Sequence, residues 1–79
     1  MTYNYESLYR ASVKINNRCA KFGGRLASVV FIYDQIMRAF AHSATESVTY
    51  AVTFSAPVSK AGEVTVHRDG SVEMHTQKP

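Results

Sequence analysis

The chain has 79 residues, which is enough for one small domain and too few for two. Lysine and arginine outnumber aspartate and glutamate by nine to six, and this mild excess suits an anionic partner without specifying one. Cys19 is the only cysteine, which excludes an intrachain disulfide and favours a reducing compartment. The longest apolar run, residues 29–33, is far too short to cross a bilayer. We therefore expect a single cytoplasmic domain over residues 1–79 with no membrane association.

Residues 5–22 have the spacing of an amphipathic helix. At 100° per residue, one arc collects Tyr5, Leu8, Ala11, Ser12, Ile15, Cys19 and Phe22. Asn4 stands where an N-cap residue belongs, and Gly23-Gly24 supplies residues that tolerate the left-handed conformation at a helix end. We predict one helix over 5–22 that turns this arc toward the core.

Residues 25–42 predict a second helix, although the β-branched and aromatic run 29–33 also fits a buried strand. Helical spacing gathers an apolar face of Leu26, Val29, Val30, Tyr33, Ile36, Met37 and Phe40. Asp34 and Arg38 have opposite charges four residues apart, which favours a helix. The alternative is a strand over 26–33 followed by a short helix that begins at Asp34.

The second half of the chain predicts strands. Over residues 47–55, Val48, Tyr50, Val52 and Phe54 alternate with small or polar residues. A three-residue loop at residues 68–70 pairs Val66 with Val72 and Val64 with Met74, which sorts apolar and polar side chains to opposite faces. The predicted fold is α+β, with two N-terminal helices packed on one face of a three-stranded antiparallel meander in the order α-α-β-β-β.

No arrangement of residues is typical of a catalytic, cofactor or metal site. The lone thiol, Cys19, falls on the apolar arc of the first helix, and the three histidines are too scattered to form a ligand pair. The best candidate groups for a small enzyme share the polar face of the last hairpin, without an enclosing pocket: Glu63, His67, Glu73 and His75. We expect no enzymatic activity, no cofactor and no metal.

A basic stripe is the strongest functional signal, and it consists of Arg10, Lys14, Arg18, Lys21 and Arg25. Such a stripe suits phosphates or an acidic protein groove, although it also suits an ordinary solvated helix face. Tyr3 and Tyr9 lie near its start and are candidate aromatic contacts, because tyrosines beside arginines are enriched at interface hot spots.

The strand over 47–55 offers a second candidate surface. It carries no charged residue, yet the first strand of a meander lies at a sheet edge, and natural edges are usually guarded by charges or prolines. We expect this edge to be covered by a partner strand or by a second copy of the chain, with Val48, Tyr50, Val52 and Phe54 at the contact. The alternative is that residues 29–33 form a strand that covers this edge internally.

These patterns predict a non-enzymatic protein-protein interaction module that inhibits or modulates a larger complex. In its small size, lone cysteine and absence of catalytic groups, the chain resembles small phage-encoded inhibitors of host defence such as anti-CRISPR proteins. The alternative is a nucleic-acid-binding protein that uses the basic stripe of the first helix. The spacing of Ala20, Gly24 and Val30 also resembles a helix-turn-helix motif, although Arg25 stands where that motif prefers an apolar residue.

Overall fold

The computed structural model describes residues 4–55 and 58–76. Its elements are α1 (Tyr5–Arg18), β1 (Cys19–Phe22), β2 (Arg25–Leu26), α2 (Val29–His42), β3 (Ser47–Phe54), β4 (Lys60–His67) and β5 (Val72–Thr76). The strands form one antiparallel sheet in the order β2-β1-β3-β4-β5. The α+β class is confirmed, but the predicted three-stranded meander is only the β3-β4-β5 part of a five-stranded sheet. Among the described residues, no helix has the length and apolar character needed to cross a membrane.

The first helix begins where the sequence predicts and ends earlier. The Asn4 side-chain oxygen accepts hydrogen bonds from the backbone N–H groups of Glu6 (2.9 Å) and Ser7 (3.2 Å), which confirms the N-cap. The prediction of helix up to residue 22 is wrong. Gly23 and Gly24 both have positive φ, +60° and +83°, as a two-residue hairpin turn requires. They therefore connect β1 to β2 and do not terminate a helix.

A β-bulge explains why β1 resembles a helix in sequence. Cys19 pairs with Phe54 and Phe22 pairs with Val52, and the register shifts between Cys19 and Lys21. The extra residue turns Cys19 and Phe22, three apart, toward the same side of the sheet, where they are 5% and 0% exposed. An i, i+3 apolar spacing normally indicates a helix, and here the bulge reproduces it in an extended strand.

The second helix is confirmed over most of its predicted length, and the alternative strand over 26–33 is wrong. The Ser28 hydroxyl oxygen accepts from the backbone N–H of Phe31 (3.2 Å) and caps the helix, and Asp34 pairs with Arg38 at 2.8 Å. The predicted apolar face is rotated, however, because Ile32 is fully buried while Val30 is 77% exposed. The helix turns toward β1, where the rings of Phe31 and Phe22 meet edge to face at 6.3 Å.

The last hairpin has the predicted register. Val66 pairs with Val72 and Val64 pairs with Met74. The turn closes as a three-residue loop: the N–H of Gly70 donates to the His67 carbonyl and the N–H of His67 donates to the Ser71 carbonyl, both at 2.9 Å. Gly70 has a φ of +95°, a value that favours glycine.

Arg68 fixes the connection between α2 and β3 to the end of β4. The side chain is buried, with its guanidinium donating to the carbonyls of Ser43 (2.9 Å) and Thr45 (2.8 and 3.0 Å) and lying 4.9 Å from the Phe40 ring centroid. Charge-assisted hydrogen bonds of this kind offset the cost of burying the cation. The sequence gives no sign of this role, since Arg68 precedes an Asp-Gly turn.

Candidate functional site

The structure divides the predicted basic stripe between different surfaces. Arg10, Lys14 and Arg18 are exposed on α1, as predicted. Lys21 lies in β1 next to the buried Phe22 and therefore points to the opposite side of the sheet from the helices. Arg25 lies in the short strand β2. The prediction of one continuous helical stripe is wrong because the helix ends at Arg18.

Two contacts fix the orientation of α1. On one flank, the Tyr9 ring meets the Tyr33 ring of α2 edge to face at a centroid distance of 5.6 Å. On the opposite flank, Ser7 lies against Gly70 in the β4–β5 turn, so closely that a Cβ added to Gly70 would be 2.5 Å from the Ser7 Cβ. Lys14 and Arg18 follow Ser7 by seven and eleven residues, which returns them to its flank of the helix. Lys14 and Arg18 therefore lie on the β5 side of α1, and we call this pair the cationic flank.

The cationic flank is electrostatically available. Arg10 is neutralised by Glu6 at 2.5 Å, in an exposed i,i+4 pair that contributes a few tenths of a kcal/mol. Lys14 and Arg18, by contrast, form no ion pair with any residue in 4–55 or 58–76. Two uncompensated cations four residues apart on one helix attract an anionic group, with about 1 kcal/mol for each charge pair that remains in water at a separation of about 4 Å.

The strand β5 lies at one edge of the sheet. β5 is the last strand in the order, with β4 as its one neighbour among the described residues. The N–H of His67 bonds to Ser71, so the alternation of an antiparallel ladder directs the peptide groups of Glu73 and His75 toward β4. The peptide groups of Val72, Met74 and Thr76 then point outward. The predicted meander also places this last strand at an edge of the sheet, and the structure agrees.

The edge predicted over 47–55 is closed by the chain itself. β3 lies between β1 and β4, and β1 pairs with its C-terminal part. Further hydrogen bonds use the same side: Gly23 N–H to the Ala51 carbonyl (2.9 Å), Ser55 N–H to the Arg18 carbonyl (3.0 Å) and the Thr45 hydroxyl to the Ser47 carbonyl (2.8 Å). The chain itself therefore covers residues 51–55 of the edge on which the expected homodimer depends, and the homodimer stays a prediction. The internal covering strand is 19–22, whereas the sequence suggested 29–33.

The side chains predicted for that edge contact belong instead to the core. Val52 and Phe54 are buried, while Val48 and Tyr50 are half-buried against the helices. The Tyr50 hydroxyl donates to the Gln35 carbonyl at 3.0 Å, and burial raises the pKa of this phenol. Of the two predicted tyrosine contacts, Tyr9 is half-exposed beside α2, and Tyr3 lies outside the described residues.

The helix-turn-helix interpretation is wrong. Gly24 lies in the turn of a β-hairpin, and the two strands of that hairpin separate α1 from α2 where the motif needs two helices in succession. The open face of the sheet carries small or polar side chains among the described residues, together with the imidazole rings of His67 and His75.

The groups considered for a small enzyme lie on this open face. A shallow depression of about 580 Å³ is lined there by Lys21, Glu63, His75 and several small residues. His67 and Glu73 are 2.5 Å apart across neighbouring strands, and the hydrogen bond and charge of His67 lower the pKa of the exposed Glu73 carboxyl. Among the described residues, no three potential ligands are grouped to hold a metal ion.

The lone thiol is not part of any of these surfaces. Cys19 is buried at the start of β1, and burial raises its pKa despite the neighbouring Arg18, so the reactive thiolate is disfavoured. The helical positions that no described acid neutralises are thus Lys14 and Arg18 of the cationic flank. A scan against protein-family models and searches of curated proteins and solved structures found no match to this chain.

Proposed function

We propose that this chain is a non-enzymatic protein-binding module that docks its cationic flank on an acidic surface of a larger complex and thereby inhibits or modulates that complex. The observation that carries the proposal is the absence of an ion-pair partner for Lys14 and Arg18 among the described residues. Asp34 and Glu6 neutralise the other helix arginines, so the unpaired charge is concentrated at one place in the helical layer.

An acidic protein is a better match than nucleic acid for this arrangement. The affinity of a protein for nucleic acid grows with the number of phosphates that its cations neutralise, because each neutralised phosphate releases counterions. Two unpaired cations on one flank release few counterions and therefore give weak binding. Lys21 is separated from the flank by the sheet and contributes to a different surface. A protein carboxylate cluster needs fewer simultaneous contacts, because hydrogen bonds and apolar contacts around it supply the remaining affinity.

The test is a selection of peptides from a random displayed library on the immobilised chain. We expect acidic sequences to be enriched on the wild-type chain and lost on the Lys14→Glu, Arg18→Glu double variant. The matched control is the Lys21→Glu, Arg25→Glu double variant, which has the same change in net charge and affects exposed residues away from the flank. It should select the same acidic peptides as the wild type.

Two results would contradict the proposal. If acidic peptides are lost equally on both double variants, only the net charge of the chain matters. If the selected peptides are not enriched in acidic residues, the flank has no preference for carboxylates. A gel-shift assay with short duplex DNA and single-stranded RNA tests the nucleic-acid alternative. That alternative would be favoured if the logarithm of the affinity falls linearly with the logarithm of the salt concentration and the library yields no acidic peptides.

A further inference from the structure

The outer edge of β5 lacks the features that usually protect a sheet edge. Its residues include no proline and no lysine, and its pairing with β4 has no register shift. Prolines, lysines and bulges are common means by which natural edges avoid pairing with other strands. The peptide groups of Val72, Met74 and Thr76 point away from β4, so they are available to hydrogen-bond another strand.

The sequence of β5 is complementary to itself in the antiparallel direction. Residues with outward peptide groups must face one another across such an edge, so Met74 can face Met74 of a second copy, with Val72 facing Thr76. The same register places Glu73 of each copy opposite His75 of the other, and both side chains are exposed on the open face of the sheet. These two acid–base pairs occupy non-hydrogen-bonded positions, where facing side chains approach most closely.

The neighbouring registers lack this complementarity. A shift of two residues in one direction places Glu73 opposite Glu73 of the second copy, and a shift in the other direction places His75 opposite His75. Like charges directly opposite each other destabilise a strand pair, and each shift also leaves residues at the strand ends unpaired. The register centred on Met74 pairs all five residues of β5 and is the one of these three that brings an acid to a base.

We infer that a second copy of this chain occupies the β5 edge, in an antiparallel pairing centred on Met74 in which Glu73 of each copy accepts a hydrogen bond from His75 of the other. His67 bonds to Oε2 of Glu73, and no described residue bonds to Oε1. A carboxylate has room for several hydrogen bonds, so Glu73 can keep His67 and accept from the second copy as well. The inference goes beyond the proposed function and does not rest on it.

The geometry of the turns is compatible with this pairing. The start of α1 is seated on the β4–β5 turn, where Ser7 lies against Gly70. Because the two β5 strands run in opposite directions, their turns lie at opposite ends of the interface, which keeps the two helix starts apart. The two-fold axis is perpendicular to the sheet, so the half-buried Met74 side chains of both copies meet on the helix side.

The dimer is expected to be weak. A strand pair of this length is a small interface, and the net charge of +3 on each copy opposes association. We therefore expect a reversible equilibrium between monomer and dimer in the micromolar to millimolar range.

The test combines sedimentation equilibrium with residue-resolved amide hydrogen exchange of the full chain, from about 10 μM to about 1 mM at about 0.15 M salt. At the dilute end, where the free chain is monomeric, the amides of Val72, Met74 and Thr76 should exchange fast. At the concentrated end, the mass should approach that of a dimer and these amides should exchange at least about threefold more slowly. The amides of Glu73 and His75 should change little, because they already bond to β4.

Two charge variants that complement each other test the register. Glu73→Lys puts a cation opposite His75, and His75→Glu puts an acid opposite Glu73, so each variant alone should dimerise about threefold to thirtyfold more weakly than the wild type. In an equal mixture, the two acids of one variant face the lysine and the histidine of the other. The mixture should therefore dimerise at least as well as the wild type, an effect that a loss of folding stability does not produce.

Glu46→Lys is the matched control for Glu73→Lys. It makes the same change in net charge at an exposed residue between α2 and β3, and it should leave dimerisation unchanged within about twofold. Thermal unfolding checks that all three variants are folded.

Three results would overturn the inference. The first is a monomer mass throughout the concentration series. The second is a dimer whose concentration-dependent protection lies at Thr49 of β3 and not at Met74, because the interface would then be the strand over 47–55. The third is protection of Met74 without recovery in the mixture, which would rule out the pairing of Glu73 with His75. The selection of acidic peptides is a separate measurement, so any of these results leaves the proposed function intact.

Discussion

The two edges of the sheet are built in opposite ways. At the β1–β2 edge, a hairpin adds two strands beside β3 and inserts Phe22, which is fully buried between Phe31 and Tyr50. At the β5 edge, the strand has a single neighbour among the described residues and partly exposed apolar side chains. The comparison shows that the chain covers the C-terminal part of the uncharged strand β3 with its own backbone and leaves β5 as an edge among the described residues.

The largest expected effect is at the closed edge. Phe22→Ala should lower the free energy of unfolding by about 3–5 kcal/mol, because it removes a fully buried aromatic ring and leaves a cavity. Leu26→Ala is the matched control at the same edge, where the side chain is 79% exposed, and it should change stability by less than about 0.5 kcal/mol. Urea unfolding measures both. Similar losses for the two variants would mean that β1 does not hold the edge by its core contacts.

Two glycine substitutions compare the turns that lead into the two edges. Gly24 and Gly70 both have positive φ, so alanine at either position should cost about 1–2 kcal/mol from backbone strain. A Cβ at Gly24 meets no atom within 4 Å, whereas at Gly70 it would collide with Ser7. Gly70→Ala should therefore be the more destabilising, by about 2–4 kcal/mol in total. Equal losses, measured by thermal or urea unfolding, would mean that α1 is not seated on the β4–β5 turn.

The smallest expected effect is a pH dependence of folding stability that comes from Glu73 in β5. The hydrogen bond and charge of His67 lower the pKa of Glu73 from its ordinary value of 4.5 in the folded chain. A carboxylate with a depressed folded pKa stabilises the fold above its ordinary pKa, and this contribution is lost as the pH falls through the depressed value. The difference in urea midpoint between wild type and Glu73→Gln should thus be larger at pH 6 than well below pH 4.5. A difference in urea midpoint that does not change with pH would argue against a stabilising interaction between His67 and Glu73.

Sequence patterns predicted the elements whose signals are local. The alternation over 47–55 and the register of the last hairpin follow from side-chain period and turn chemistry, and Asn4 caps α1 as expected. The failures come from β1. Its bulge gives Cys19 and Phe22 a helix-like spacing, and a Gly-Gly pair fits both a helix end and a hairpin turn. Local pattern alone does not separate these alternatives.

The candidate site was predictable only in part. Lys14 and Arg18 were identified from their spacing, and they do share a helix. Which flank they occupy depends on the contacts of Ser7 and Tyr9, which join residues distant in sequence. The edge of β3 is covered in part because a segment taken for helix forms β1, while β5 stays an edge as in the predicted meander. Both pieces of information are tertiary, so neither is encoded in a local window of the sequence.

The most direct test is amide hydrogen exchange of the free chain, because the location of the site depends on which edge is open. We expect slow exchange at Gly23 and Ser55, whose N–H groups bond to the carbonyls of Ala51 and Arg18, and fast exchange at Met74 between slower Glu73 and His75. Fast exchange at Gly23 and Ser55 with a protected Met74 would contradict the account, since β3 would then be the uncovered edge and β5 the covered one.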